Sequence, residues 1–283
     1  MTRNTLYIGI SALCFLLVGA ATSLAQEARA RTDRVAAARG LSSQLRWKDA
    51  SSHKQYLARR DDVTRRLLKE VDGFIADSFQ PGTATPDHVK AGLKLLLGHL
   101  DHSESYMSNA AIPVTLPKGR FLIAGVELLR GGTAIAEDAI SFRAYRATGS
   151  KFVFVSSTED LHSSDPDNPF LMGLYAKPLS VSPIAGEFWF LGLARVPPQS
   201  PPTVAMRLYA FDGERFRTVW APKDILAEGT RQAIELTSDG FIVSSLSDPG
   251  RPTGPGPTFV IHTQYAVGPD GPKKTAEWRT QFP

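Results

Sequence analysis

Apolar residues follow a helical period in the first part of the chain and a period of two after Met107. Apolar positions three and four residues apart predict two amphipathic helices before that point. The stripe of the first helix is Leu67, Leu68, Val71, Phe74 and Ile75, and Pro81-Gly82 ends it. The second begins with Thr85 as N-cap and Pro86 at the first helical position. Its stripe is Val89, Leu93, Leu96, Leu97 and Leu100. We therefore predict a helical hairpin over residues 52–106.

The clearest strand signal is a predicted β-hairpin at residues 208–220, where an alternating strand, an Asp-Gly turn and a second strand follow one another. This hairpin recurs twice with the same landmarks. In a gapless alignment with an earlier stretch, Tyr209 and Gly213 fall on Tyr145 and Gly149. In an alignment with a later stretch, the turn and the closing tryptophan (Asp212, Gly213, Trp220) fall on Asp270, Gly271 and Trp278.

Each hairpin is preceded by a short strand and a longer apolar strand, so the repeating unit has four strands. The short strands are predicted around Ile112–Leu116, Pro178–Val181 and Ala233–Thr237. The repeats then cover residues 110–161, 176–225 and 231–280 within a β region of residues 107–283. Four meandering strands at this period are typical of propeller blades. The predicted fold class is α+β, a helical hairpin followed by three propeller-like repeats, with a β-sandwich or barrel as the alternative.

Residues 110–280 resemble the blades of quinoprotein (PQQ)-type β-propellers. The resemblance lies in residues 239–245, a turn leading into an apolar strand, and in Ala210, Asp212 and Trp220 of the hairpin motif. It implies a blade-like interaction scaffold in which Trp220 and Trp278 pack between blades. Enzymes of that family hold their quinone with a vicinal disulfide and an acidic calcium site. Because Cys14 is the only cysteine, we carry over no cofactor.

Three such units cannot close a ring, since propellers have about four to eight blades. One open side is then covered either by the helical hairpin or by a second copy of the chain. We predict a monomer with a helical cap in preference to a homodimer, because the two apolar stripes exceed what a two-helix hairpin buries within itself.

Residues 1–25 have the pattern of a secretory signal peptide: a positive start, an apolar run shorter than a membrane span, and small residues before Gln26. We therefore expect an exported protein, periplasmic or extracellular, that is not transmembrane after cleavage. Residues 26–51 are basic and lack a clear apolar stripe, which predicts a flexible or loosely helical lead-in.

The net charge of +4 is concentrated in residues 27–72, where 12 lysines and arginines face 7 acidic residues. A basic segment is compatible with nucleic acid or with an anionic surface. A solvated helix face explains it better in an exported chain, so we expect no nucleic-acid partner.

Candidate chemistry is sparse. His99 and His102 are spaced to share a metal ion on one helix, yet a third ligand is not evident. Asp165 and Asp167 lie in a loop that offers oxygen ligands but lacks the EF-hand pattern. A solvated histidine flank and a plain connecting loop are the simpler interpretations. His262 lies outside any nucleophile motif and is interpreted as a strand residue.

Two functions remain open. The absence of a catalytic motif favours an exported, non-catalytic binding or scaffold protein of the cell envelope, with a protein or a glycan as partner. The alternative is an envelope enzyme, hydrolase-like, whose site is formed by loop carboxylates of the β region.

Overall fold

The computed structural model describes residues 26, 28–44, 53–97, 111–130, 137–158, 161–162, 172–196, 203–222, 226–227, 234–246 and 259–281. Within these ranges the chain forms three helices followed by fourteen strands in three antiparallel sheets. The fold class is therefore α+β, as the change of period predicts. No helix in the described ranges has the length and hydropathy needed to cross a membrane.

Helix α1 covers residues 28–43, α2 covers His53–Ser78 and α3 covers Pro86–Leu97. The predicted cap of α3 is present, because the hydroxyl of Thr85 accepts a hydrogen bond from the backbone N–H of His88 at 3.2 Å. Every predicted stripe residue of α2 is buried, and so are those of α3 within its bounds. Leu100 lies outside the described residues.

Helix α1 replaces the flexible lead-in predicted for residues 26–51. Arg34 joins α1 to α2: its Nε donates to Asp77 at 2.6 Å and its Nη1 donates to Glu70 at 3.2 Å. The guanidinium lies against Gly73, where a side chain would displace it. Periodicity did not reveal this interface because one arginine and a few scattered apolar residues form it, not a continuous stripe of large apolar side chains.

Each sheet is an antiparallel meander of four main strands. Sheet A contains β1 (Ala111–Leu116), β2 (Gly119–Arg130), β3 (Glu137–Thr148) and β4 (Lys151–Ser157), and β5 (Leu161–His162) pairs with β3. Sheet B contains β6 (Met172–Pro178), β7 (Phe188–Val196), β8 (Thr203–Phe211) and β9 (Phe216–Trp220), and β10 (Leu226–Ala227) pairs with β8. Sheet C contains β11 (Ile234–Leu236), β12 (Gly240–Leu246), β13 (Phe259–Gly268) and β14 (Gly271–Gln281).

The first strand of sheet B lies earlier than predicted. It ends at Pro178, where the sequence pattern placed its beginning. Proline has no N–H to donate to a ladder, so it suits the end of an edge strand better than its interior. One further backbone bond, from Leu179 to Trp189 at 2.9 Å, follows before the chain turns away.

All three sheets share a β-bulge beside a tyrosine. In each, the pairing of the third and fourth strands shifts by one residue immediately before Tyr145, Tyr209 or Tyr265. A bulge leaves one residue unpaired at a defined point of the ladder. Its recurrence fixes which residues of the three sheets are equivalent, and it agrees with the sequence alignment of the first two copies.

The same bulge corrects the alignment of the third copy by two positions. Tyr209 corresponds to Tyr265, whereas the sequence alignment would set it on Val267. Trp220 is therefore equivalent to Ala276. The predicted landmarks of the third copy each lie two positions too far along: Asp270, Gly271 and Trp278. A turn pair and a tryptophan recur easily by chance, whereas cross-strand pairing determines the true register.

The layers stack in the order helices, sheet A, sheet B, sheet C. A buried apolar cluster that includes Phe74, Leu93 and Tyr145 joins α2 and α3 to sheet A. Sheet A packs on sheet B through side chains such as Phe142 and Phe190, whose ring centroids are 4.9 Å apart. A third cluster joins sheet B to sheet C. The helices thus occupy the place of a sheet before sheet A, and the described strands form no closed sheet.

Candidate functional site

Among the described residues, no helix and no further sheet shares an apolar cluster with the outer face of sheet C. Phe241 and Val243 of β12 face sheet B, so the residues that alternate with them face outward. Strand pairing sets His262 opposite Ser244 and Trp278 opposite His262. We define the outer face of sheet C by the residues that this alternation and pairing bring together: Ile242, Ser244, His262, Gln264, Trp278 and Thr280.

His262 is held from both sides of its ring. Its Nδ1 is 2.9 Å from the hydroxyl of Ser244, and its Nε2 is 2.8 Å from the hydroxyl of Thr280. A neutral imidazole has one N–H and one lone pair, so one hydroxyl donates to the ring and the other accepts from it. These two bonds across three strands fix the plane of the imidazole.

Trp278 lies against that imidazole. The two ring centroids are 5.2 Å apart and the planes are inclined by 16°, a stacked arrangement. The indole nevertheless keeps 39% of its surface exposed. Because His262 supports one side of the indole and is itself fixed, Trp278 presents a rigid aromatic surface to solvent.

The outer face of sheet C differs in character from the equivalent face of sheet B, which packs on sheet C. The bulge makes Leu193, Met206 and Leu208 of sheet B equivalent to three polar residues of sheet C. The three residues of sheet B are buried in the cluster between the sheets. Their replacements are Ser244, His262 and Gln264. Polar groups buried without partners destabilise a core, so this face is unsuited to packing under a fourth sheet.

Formal charge lies beside the outer face, not on it. None of its six residues carries a carboxylate, ammonium or guanidinium group. Lys274 and Glu277, nearby on β14, form an ion pair of 2.5 Å. A hydrogen bond from Lys274, together with its charge, lowers the pKa of Glu277. The two neighbouring charges therefore satisfy each other.

Ser244 and His262 also have the contact that a nucleophile and its base require. In a catalytic triad a third group, usually a carboxylate, orients the base. Here the hydroxyl of Thr280 takes that place. Ser244 is moreover only 7% exposed. The arrangement fixes a ring more effectively than it activates a hydroxyl.

A second polar cluster lies between α2 and sheet A. Arg143 forms a bidentate ion pair with Asp72, and the hydroxyl of Tyr145 donates to Asp72 at 2.9 Å. Burial raises the pKa of Tyr145 well above its ordinary value, and the charge of Asp72 adds to the increase. For Arg143, burial opposes the charged form, but hydrogen bonding to Asp72 raises its pKa overall. The cluster is enclosed and has a structural role, fixing the helices to sheet A.

The residues predicted from the turn chemistry have the expected geometry. Gly149 and Gly213 have φ of 60° and 89°, the left-handed region that favours glycine. The carboxylate of Asp212 accepts hydrogen bonds from the backbone of Glu214 and Arg215 at 2.8 and 2.9 Å. Partial burial opposes ionisation of Asp212, but the bonds from Arg215 and Glu214 lower its pKa overall.

The two tryptophans differ. Trp220 packs across the interface between sheets B and C, with its ring 5.4 Å from that of Tyr265 and 5.8 Å from that of Phe241. Trp220 thus has the packing role that its recurrence suggested. Trp278 lacks such an interface, because no fourth sheet of the described strands covers it.

The weaker metal candidates, His99, His102, Asp165 and Asp167, lie outside the described residues. Within those residues, no group of three histidine, cysteine or acidic side chains is placed to hold a metal ion.

Sequence reasoning missed the cluster around His262. Ser244, His262 and Thr280 belong to three different strands, and only the register of β12, β13 and β14 brings them together. Their strand alternation was available as a signal, since Ser244 and His262 fall at outward positions once Phe241 and Tyr265 are assigned to the core.

Comparison of the chain with known protein families, with curated proteins and with solved structures gives no match. The resemblance to quinoprotein-type propellers therefore stays a prediction, and the geometry of sheet C carries the functional argument.

Proposed function

We propose that this chain is an exported, non-catalytic binding protein of the cell envelope whose contact surface is the outer face of sheet C. The observation that carries the proposal is the difference between the two ends of the stack. At one end, α2 and α3 cover sheet A and a buried ion pair secures them. At the other end, Trp278 is held rigid and left exposed. An exposed aromatic side chain on an ordered surface is typical of a binding site.

The proposal includes a blade-like architecture. The shared bulge and the face-to-face stacking support three successive units of the quinoprotein-propeller type, with the helices as a cap in place of a neighbouring blade. A capped stack has one fewer open face to bury, which supports a monomer over a homodimer. Export rests on the signal-peptide pattern of residues 1–25.

The experiment is co-sedimentation of the chain from residue 26 onward with the isolated cell envelope of the source organism. We expect the wild-type chain to sediment saturably and Trp278→Ala to lose most of that binding. Val153→Ala is the matched control, because Val153 is an exposed apolar residue of sheet A with 50% of its surface accessible. Absence of saturable sedimentation, or equal loss in both variants, would contradict the proposal.

One observation favours an alternative, a hydrolase, namely the 2.9 Å contact of Ser244 with His262. Hydrolysis of a panel of activated esters and glycosides tests it. A turnover that Ser244→Ala abolishes, while the fold is retained, would replace the binding function with the catalytic one.

A further inference from the structure

We infer that the outer face of sheet C binds an uncharged saccharide chain, with Trp278 as the stacking surface. This inference rests on the proposed binding function and specifies its ligand class. The first argument is the rigidity of the aromatic surface. The stack of Trp278 on His262, and the bonds from His262 to Ser244 and Thr280, place the indole before any ligand arrives. A preorganised side chain loses little conformational freedom on binding.

The second argument is the pairing of aromatic and hydrogen-bonding groups. A sugar ring has a face of C–H groups and a rim of hydroxyls, so it needs a flat apolar partner next to donors and acceptors. Each hydroxyl has one donor and two acceptor positions. His262 uses one position on Ser244 and one on Thr280, which leaves capacity on the exposed Thr280. The amide of Gln264 lies on the same face and adds a donor and an acceptor.

The third argument is charge complementarity. The face has no fixed charge, and the nearby Lys274 and Glu277 neutralise each other. A phosphorylated or sulfated ligand would lose hydration here without gaining a counter-charge. A second copy of the chain would bury Ser244, His262 and Gln264 against the same polar residues of its partner. An uncharged polyhydroxyl ligand satisfies this surface better than either.

Isothermal titration calorimetry of the chain from residue 26 onward tests the inference, with cellohexaose and chitohexaose as uncharged probes. We expect at least one probe to bind saturably. Trp278→Ala should weaken that binding by about tenfold or more, as loss of a central aromatic contact does. Thr280→Val, which removes the bond to His262 at similar volume, should weaken it less. Val153→Ala should leave it unchanged.

Near-ultraviolet circular dichroism of each variant separates loss of binding from loss of fold, and Trp278→Phe provides a second variant that keeps an aromatic ring. Absence of binding of both probes by the wild-type chain would overturn the inference, and so would wild-type affinity in Trp278→Ala. If envelope sedimentation still depends on Trp278 but neither probe competes with it, the saccharide class is wrong while the binding function stands. Light scattering then distinguishes a protein partner from a second copy.

Discussion

Arg143 of β3 and Asp72 of α2 form a bidentate ion pair, with Nε 2.8 Å from Oδ1 and Nη2 2.6 Å from Oδ2. The Arg143 side chain is only 7% exposed, and its guanidinium also lies 4.5 Å from the ring centroid of Phe154. Two parallel hydrogen bonds fix direction as well as distance. This pair therefore sets how the helical layer sits on sheet A.

Asp72→Ala should destabilise the fold by about 3 kcal/mol, because it leaves the charge of Arg143 buried without its partner. The control is Asp62→Ala on the same helix, since Asp62 is exposed and its contacts with Arg65 and Arg66 are 3.6 and 3.7 Å long. That change should cost less than about 1 kcal/mol. Urea denaturation midpoints measure both. Equal losses would mean that the pair does not anchor the helices.

Tyr209→Phe should reduce the loss of stability in alkali. Burial raises the pKa of Tyr209 to about 12, against the opposing charge of Arg207. The unfolded chain ionises near its ordinary value of about 10. Tyr209 thus contributes stability that is fully present below about pH 10 and is lost as pH rises from about 10 to about 12.

The Tyr209 hydroxyl has no hydrogen-bond partner in the described part of the chain. Its removal should therefore have little effect at neutral pH. Unfolding free energies between pH 7 and pH 12 give the comparison. If the curves of the variant and the wild-type chain stay parallel throughout, Tyr209 does not titrate in this way.

Gly213→Ala should destabilise the hairpin of sheet B by about 1–2 kcal/mol, the penalty of a side chain in the left-handed region. Gly213 has φ of 89°, and a Cβ there would lie 3.1 Å from Lys118 and 3.3 Å from Phe121. Gly82→Ala is the control, because no atom lies within 4 Å of its added Cβ. The control should be neutral or slightly stabilising. Thermal unfolding distinguishes them, and an equal response would refute the role of the turn.

Trp220→Ala should destabilise the β region by roughly 3 kcal/mol, the order expected for removing a packed aromatic side chain. Trp278→Ala should cost less than about 1 kcal/mol, because its ring is largely at the surface. Denaturant midpoints of the two variants test the corrected register. A larger loss for Trp278 would mean that something buries its ring.

Local signals in the sequence predicted the helices and turns well. The stripe of α2, the cap of α3 and the Asp212-Gly213 turn depend on neighbours within a few residues, so spacing alone identifies them. Long-range relations were different. The bulge before Tyr265 moved the third repeat by two positions, and the polar link from α1 to α2 depends on a single arginine.

The candidate site was the least predictable feature. His262 gains its significance from Ser244 and Thr280, which reach it only through strand register. Trp278 looked equivalent to Trp220 because both follow a glycine by seven residues. What separates the two is the layer beyond each sheet, and no local pattern in the sequence specifies that layer.

The central claim is that the outer face of sheet C, centred on Trp278, is the binding surface. Hydroxyl-radical footprinting with mass spectrometry measures this directly, in the free chain and in the envelope-bound chain. Trp278 should be oxidised faster than the buried Trp189 in the free chain and should be protected severalfold in the bound chain, while Val153 is unchanged. Binding that leaves the oxidation of Trp278 unaltered would contradict the account.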